Sequence, residues 1–196
     1  MKGPCSGTKF AEFIMNLEER KHWDSQIDEV YESHSIYDLE AANLAMGVGK
    51  YGDCSLLGVG YVRSKGNFVV EGREQLTLCG VQEFQDGSCL IWGTELEDWH
   101  NHLLPQGQRL TRAKSHLFST ALVPTGPDSF DVEYVLQLEV GGKIPPFLTT
   151  PVLIETVKSL FSYASGVYQN PSIMANYISK NDSEIMNQKH SILMTP

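Results

Sequence analysis

Asp98, His100 and His102 stand at alternate positions in "EDWHNHLLP", a spacing that could present three metal ligands on one strand face. A metal site needs three or four converging donors and a supporting second layer. No other His-rich or acidic cluster accompanies these three, so a solvated loop before Pro105 is expected and no metal is assigned. Gly47, Gly49 and Gly52 spell GxGxxG, but the dinucleotide reading requires a strand before the motif and a helix after it. The following "DCSLLGVGYV" reads as strand, which makes the glycines a turn or flexible loop and assigns no cofactor. Cys5, Cys54, Cys79 and Cys89 form no CxxC or Cys/His pattern, and free thiols are expected. There is no GxSxG elbow. Glu18-Glu19 and Glu95, Glu97, Asp98 lie in polar runs and read as solvated faces. No catalytic residue is assigned, although sequence does not exclude a triad assembled in space.

The elements that would position any site are clearer. Phe10, Phe13, Ile14 and Leu17 recur at helical spacing, which predicts a helix over 8–20. A short strand is expected around 27–31, then short strands joined by tight turns through the glycine-rich 45–72. From Glu74 to Val140 the pattern is antiparallel sheet, since strands follow one another with no helix between. Asp86-Gly87 predicts a two-residue hairpin with Gln85 opposite Ser88, Cys89 opposite Phe84 and Cys79 near Thr94. "QRLTRAKSHLFSTALVP" reads as one long strand. "FDVEYVLQLEV" places Val132, Tyr134, Leu136, Leu138 and Val140 on one face and Glu133, Gln137 and Glu139 on the other.

That last strand must stop sharply. Gly141-Gly142 releases it, and Pro145 and Pro146 cannot donate to a ladder. Thr149 or Thr150 is the expected cap of the next helix, with Pro151 in its first turn. Leu153, Val157, Leu160, Phe161, Ala164 and Val167 form its apolar stripe. Trp92, Phe118 and Tyr134 are core residues by default. Periodicity therefore gives an antiparallel sheet gripping a long helix, without saying whether the space between is full or hollow.

At 196 residues, 41% hydrophobic and 20% charged, the chain reads as one globular domain over 1–168 with a polar tail over 169–196. No run of about 18 apolar residues and no apolar leader occur, so the cytosol is the default compartment. The net charge of −9 argues against nucleic acid, whose binding is driven by Lys and Arg, and against standing adhesion to anionic membranes.

The order of landmarks resembles the START (steroidogenic acute regulatory-related lipid transfer) domain. "LEERKHWD" is similar to that family's Arg-x-x-Trp-Asp helix end, and "GREQLTL" to its Arg-Asp-Phe strand entry, with Glu74-Gln75 replacing Asp-Phe. "LTRAKSHLFSTALVP" is similar to the strand built around Arg-Ala, here Arg112-Ala113. "YVLQLEVGGKIPPFL" resembles its acidic-x-x-Gly-x-Ile/Leu-Pro signature, with Glu139, Gly142 and Ile144-Pro145 in the matching places. The likeness spans about residues 8–168. The family's first helix and first strands have no counterpart here. Sterol-binding members carry a buried Arg where this chain has Cys79.

The resemblance implies an α+β helix-grip fold that binds one lipid without catalysis, with transient membrane contact and a phospholipid rather than a sterol as cargo. It implies a cavity wall of Tyr134, Leu136 and Leu138 with Leu153, Val157, Leu160 and Phe161. Trp92, Phe118 and Arg112 are further candidates, Arg112 for a phosphate or a structural ion pair. The implied gate is Ile144, Pro145, Pro146 and Phe147 with the loop "NFVVEG". Two alternatives stay open: a helix-grip enzyme of the polyketide cyclase or aromatase type, and a lipid sensor acting through the tail.

Overall fold

Helix α1, Gly7–Met15, starts where the Ser6 hydroxyl accepts from the Lys9 amide at 3.4 Å, a side-chain cap for an otherwise unpaired donor. It buries Phe10, Ala11 and Phe13 on the face the periodicity marks. Asn16 ends it in an extended conformation, five residues before the expected end. Beyond it the Arg20 amide donates to Asn16 O and the Asp24 amide to Arg20 O, helical i to i−4 bonds. The computed structural model describes residues 6–17, 20–21, 24–35, 53–66, 71–107, 110–127, 129–173 and 175–176. Cys5, the 47–52 glycine motif, residues 67–70 of the implied gate loop and the tail from 177 lie outside them.

Among the described residues seven strands follow: β1 Ile27–Ser35, β2 Asp53–Ser64, β3 Arg73–Glu83, β4 Cys89–Glu95, β5 Thr111–Arg112, β6 Lys114–Gly126 and β7 Ser129–Glu139. They form one sheet in the order β1-β2-β3-β4-β6-β7, with every neighbouring pair on that path antiparallel. The two-residue β5 pairs in parallel with the start of β3. Long α2, Pro146–Tyr168, follows the sheet, and together they make the expected α+β helix-grip architecture.

Local expectations are corrected in four places. Residues 53–64 form one strand and not several, because Gly58 and Gly60 sit inside it, opposite Cys79 and Thr77, and turn nothing. The β3–β4 hairpin has a three-residue loop, not two. Phe84 N donates to Ser88 O, and Gly87 takes φ +80°, so Cys89 faces Glu83 and Cys79 faces Gly93. The long strand before the 127–128 turn is split at Ala113, whose amide donates to Glu74 O. Helix α2 begins at Pro146 with Pro145 as cap residue, which puts Thr149, Thr150 and Pro151 inside it. Proline is suited to the first turn, where its missing N–H costs nothing. Cys54, Cys79 and Cys89 are free.

The concave face is filled at one end. Phe10 and Phe13 of α1 meet Ile91, Leu122, Phe130 and the carboxyl end of α2, where Ala164, Val167 and Tyr168 are buried. Tyr168 lies 4.8 Å from Phe10 and 4.9 Å from Phe130, centroid to centroid, in tilted and edge-on contacts. Among the described side chains in the amino half of α2, none is fully buried. On the convex face, Leu103 and Leu104 close over Tyr61 and Leu76 from the end of a 3-10 helix at Asp98–Leu103. That helix stands where the solvated loop was expected. The ring nitrogens of His100 and His102 face backbone oxygens of Glu97 and Trp99. Among the described residues no three metal-ligating side chains converge, and no helix is long and apolar enough to cross a membrane.

Candidate functional site

Between the sheet and the amino half of α2 lies a cavity of about 280 Å³. Its position follows from where the core stops. The aromatic cluster of α1, Phe130 and Tyr168 fills one end, and the cavity occupies the other, toward Val140 and Ile144. One wall is apolar: Leu136, Leu138 and Val140 from β7 and beyond, with Leu148, Val152 and Leu160 from α2. The facing wall is mixed. It carries Gln75, Thr77 and Cys79 from β3, with Arg20, Asp24 and Gln26 from the turns after α1.

Alternation on β7 decides what the wall contains. Tyr134, Leu136 and Leu138 look into the cavity, while Glu133, Gln137 and Glu139 are exposed on the opposite face. Phe118 reaches inward across Gly93, where a Cβ would come within 2.1 Å of the ring. Leu153 and Leu160 line the cavity from the helix, and Ile144 lines it at the glycine hinge, where Gly141 and Gly142 take φ +68° and +73°. Only glycine adopts that backbone without strain.

Four of the wall candidates lie elsewhere. Trp92 is out of phase with inward-facing Ile91 and lies flat over Gly80, where a Cβ would stand 2.7 Å from its ring. Arg112 donates to Leu96 O at 2.8 Å and to Asn101 Oδ1, so it ties the 3-10 segment to the sheet through neutral acceptors. Val157 is half-buried on α2 without lining the cavity, and Phe161 meets Tyr134 edge-on at 6.1 Å. Of the gate, Pro145 and Phe147 are exposed and Pro146 is the first helical residue. Phe147 is 73% exposed.

Sequence reasoning missed the polar wall. Arg20 Nη2 meets Asp24 Oδ2 at 3.5 Å, and Asp24, only 4% exposed, also accepts from the Gln26 amide at 3.1 Å. The signal was present, since residues four apart share one helical face, and both belong to the quoted "RKHWD". Burial pushes the Cys79 thiol up to about 12, opposed by the nearby Arg20 charge. Burial also raises Tyr134, with Arg20 opposing and Asp24 adding to the rise. Both groups therefore stay protonated near neutral pH, where a general base or thiolate nucleophile would have to be poised to lose its proton.

No protein-family model matches the chain, and no curated protein matches it in sequence. Solved structures do match in fold. Human STARD10 superposes with a TM-score of 0.62 at 18% identity, over 84% of this chain and 60% of that one. Human StAR-related lipid transfer protein 5 gives 0.62 at 14% identity, over 82% and 68%. The STAR-related lipid transfer protein fragment from Xanthomonas axonopodis gives 0.57 at 17%, over 84% and 82%. The fold is thus START-like, a helix-grip domain. This chain spans about three fifths of the length of the STARD10 chain.

Proposed function

We propose that this chain binds a single lipid in the cavity beneath α2 and carries or presents it between membranes, without catalysis. The observation that carries the reading is the cavity itself, apolar along β7 and α2, closed at one end by the aromatic core and bordered at the other by a glycine hinge. Each methylene moved from water into such a site gains roughly 0.8 kcal/mol, which is the barrier a lipid otherwise faces on leaving a bilayer.

The mouth supports the membrane step. Phe147, Leu148, Val152 and Ile154 are all exposed on the first turns of α2, while Leu148 and Val152 also line the cavity. An exposed apolar cluster at an opening is suited to brief insertion among acyl chains. The ion pair of Arg20 and Asp24 offers charge to a polar head, which favours a phospholipid-type cargo over a sterol; so does Cys79 in place of a buried cation. The enzyme alternative draws no support from β7, whose carboxylates face outward, or from Tyr134 and Cys79, held protonated by burial.

The test is native mass spectrometry of the chain purified from a eukaryotic lysate, followed by solvent extraction. A stoichiometric lipid adduct, lost in Leu138→Asp, is the expected result. A chain that purifies empty and takes up nothing from added liposomes would end the lipid-carrier reading.

A further inference from the structure

We propose that Arg73 binds an anionic oxygen of the cargo's head at the hinge end of the cavity, so that a lipid with a phosphate head is held over a neutral lipid with the same chains. The inference rests on the lipid-binding reading and adds the head's charge and the residue that reads it.

Arg73 opens β3 and lines the cavity. Its backbone is pinned to the end of β2, since its amide donates to the Ser64 hydroxyl at 3.0 Å. Its guanidinium spans from the residues before β3 to the end of β7. Nε donates to Val140 O at 2.8 Å, and Nη1 to Glu71 O at 2.7 Å and Gly72 O at 3.2 Å. All of these acceptors are neutral carbonyls, and among the described residues no carboxylate pairs with Arg73. The charge is held in place without being neutralised. A guanidinium carries five N–H donors, so the carbonyl bonds leave those of Nη2 for a ligand. Gly142 keeps the space beside them open: a Cβ there would stand 3.4 Å from Nη2.

The other charged residues that line the cavity act elsewhere. Arg20 is engaged by Asp24 at 3.5 Å, and Lys65 donates to Ser25 O at 2.9 Å, toward the 24–26 turn. Glu71 opposes an anion, but from an exposed position where water and salt screen it. From Val140 the inward residues Leu138, Leu136 and Tyr134 run back along β7 toward the aromatic core around Phe130. Chains laid on that wall point away from Arg73, which puts the head at the hinge. A hydrogen bond from a cation to an anionic oxygen is roughly twice as strong as one between neutral groups. A hydroxyl or ester head would leave the guanidinium charge unmatched when the chains displace water.

The test titrates the full chain with dioctanoyl phosphatidic acid and with dioctanoylglycerol, both below their aggregation concentrations. Affinity is read by intrinsic fluorescence and stoichiometry by native mass spectrometry. Phosphatidic acid is expected to bind at least about tenfold tighter. Arg73→Gln should remove that preference, and Arg73→Lys, which keeps the charge, should keep most of it. Loss of the bond to Val140 lowers both affinities together, so their ratio separates the head contact from the structural role. Glu71→Gln keeps the backbone carbonyls and should tighten phosphatidic acid about threefold without changing dioctanoylglycerol. Lys158→Gln, on the exposed face of α2, removes the same unit of charge as Arg73→Gln and should leave the ratio alone. An equal fall in both variants would overturn the proposal by exposing a net-charge effect. Equal binding of the two lipids, or a preference that survives Arg73→Gln, would overturn it as well. Where Arg73→Gln does not fold, Glu71→Gln decides, and an unchanged affinity there overturns the proposal. Inorganic phosphate that displaces dioctanoyl phosphatidic acid at equal concentration would make the site one for a free anion. Binding of neither lipid would overturn the lipid-carrier reading itself.

Discussion

Gly93→Ala separates a hollow grip from a filled one. A methyl at position 93 would stand 2.1, 2.5 and 2.9 Å from three atoms of the Phe118 ring. The ring must therefore retreat by about 1.5 Å to reach an ordinary carbon–carbon contact of about 3.5–4.0 Å. The backbone at 93 allows alanine, since its φ lies outside the left-handed region. Phe118 faces the cavity, so the ring has somewhere to go. The retreat removes on the order of 50 Å³, about two methylene volumes, from the space a ligand can use. At roughly 0.8 kcal/mol for each methylene, ligand affinity should fall by about 1.6 kcal/mol, on the order of fifteenfold. Stability should fall by less than about 1 kcal/mol, because overpacking costs about 1–3 kcal/mol only where nothing can yield. The assay pairs a lipid-binding titration with urea denaturation. Gly80→Ala is the control: Trp92 lies 2.7 Å from that Cβ on the opposite face of the strand, and its displacement should leave affinity unchanged. Unchanged affinity in Gly93→Ala, together with a stability loss of about 2 kcal/mol or more, would refute a hollow site beside Phe118.

Phe147→Ser combined with Ile154→Ser should slow lipid transfer between vesicles severalfold while leaving equilibrium affinity intact, because both side chains are exposed and neither lines the cavity; a stopped-flow transfer assay separates the two quantities. Arg112→Ala should cost about 1–2 kcal/mol by leaving Leu96 O and Asn101 without their donor, with no loss of lipid affinity. Alkaline pH should destabilise the fold. Burial holds the Cys89 thiol up at about 12 against an ordinary value of 9.0, so the unfolded chain loses that proton first. The stabilisation is complete below pH 9 and lost as pH climbs toward 12, amounting to about 1.4 kcal/mol by pH 10. Cys89→Ala should flatten that slope in a thermal melt series.

The architecture was legible because it rests on local rules. The period-2 pattern from Phe130 to Val140 marked β7 and its inward face, and the glycines and prolines before α2 marked the end of a strand. Antiparallel order followed from the absence of intervening helices. Glu139 was likewise placed outside by simple alternation, before any packing was known. Hairpin register was legible only to within one residue, because a two-residue and a three-residue loop differ in whether Gly87 closes the turn as a left-handed bulge, and the pair Asp86-Gly87 serves both.

What tertiary structure alone decided is where the core stops. The stripe on α2 has one periodicity from Leu153 to Val167, yet its carboxyl half is buried against Phe10 and Phe130, while its amino half borders empty space. Periodicity reports which face of a helix is apolar; it carries no information about how far away the facing surface lies. The same limit hid Trp92, whose phase on β4 sends it over Gly80. It hid the joining of Arg20 and Asp24 to Cys79 and Tyr134 as well, because that wall is assembled from segments more than fifty residues apart in the chain. The sequence by itself determined the sheet, the hinge and the apolar faces, since each depends on neighbours along the chain. The hollow and the charges around it depend on distances across it.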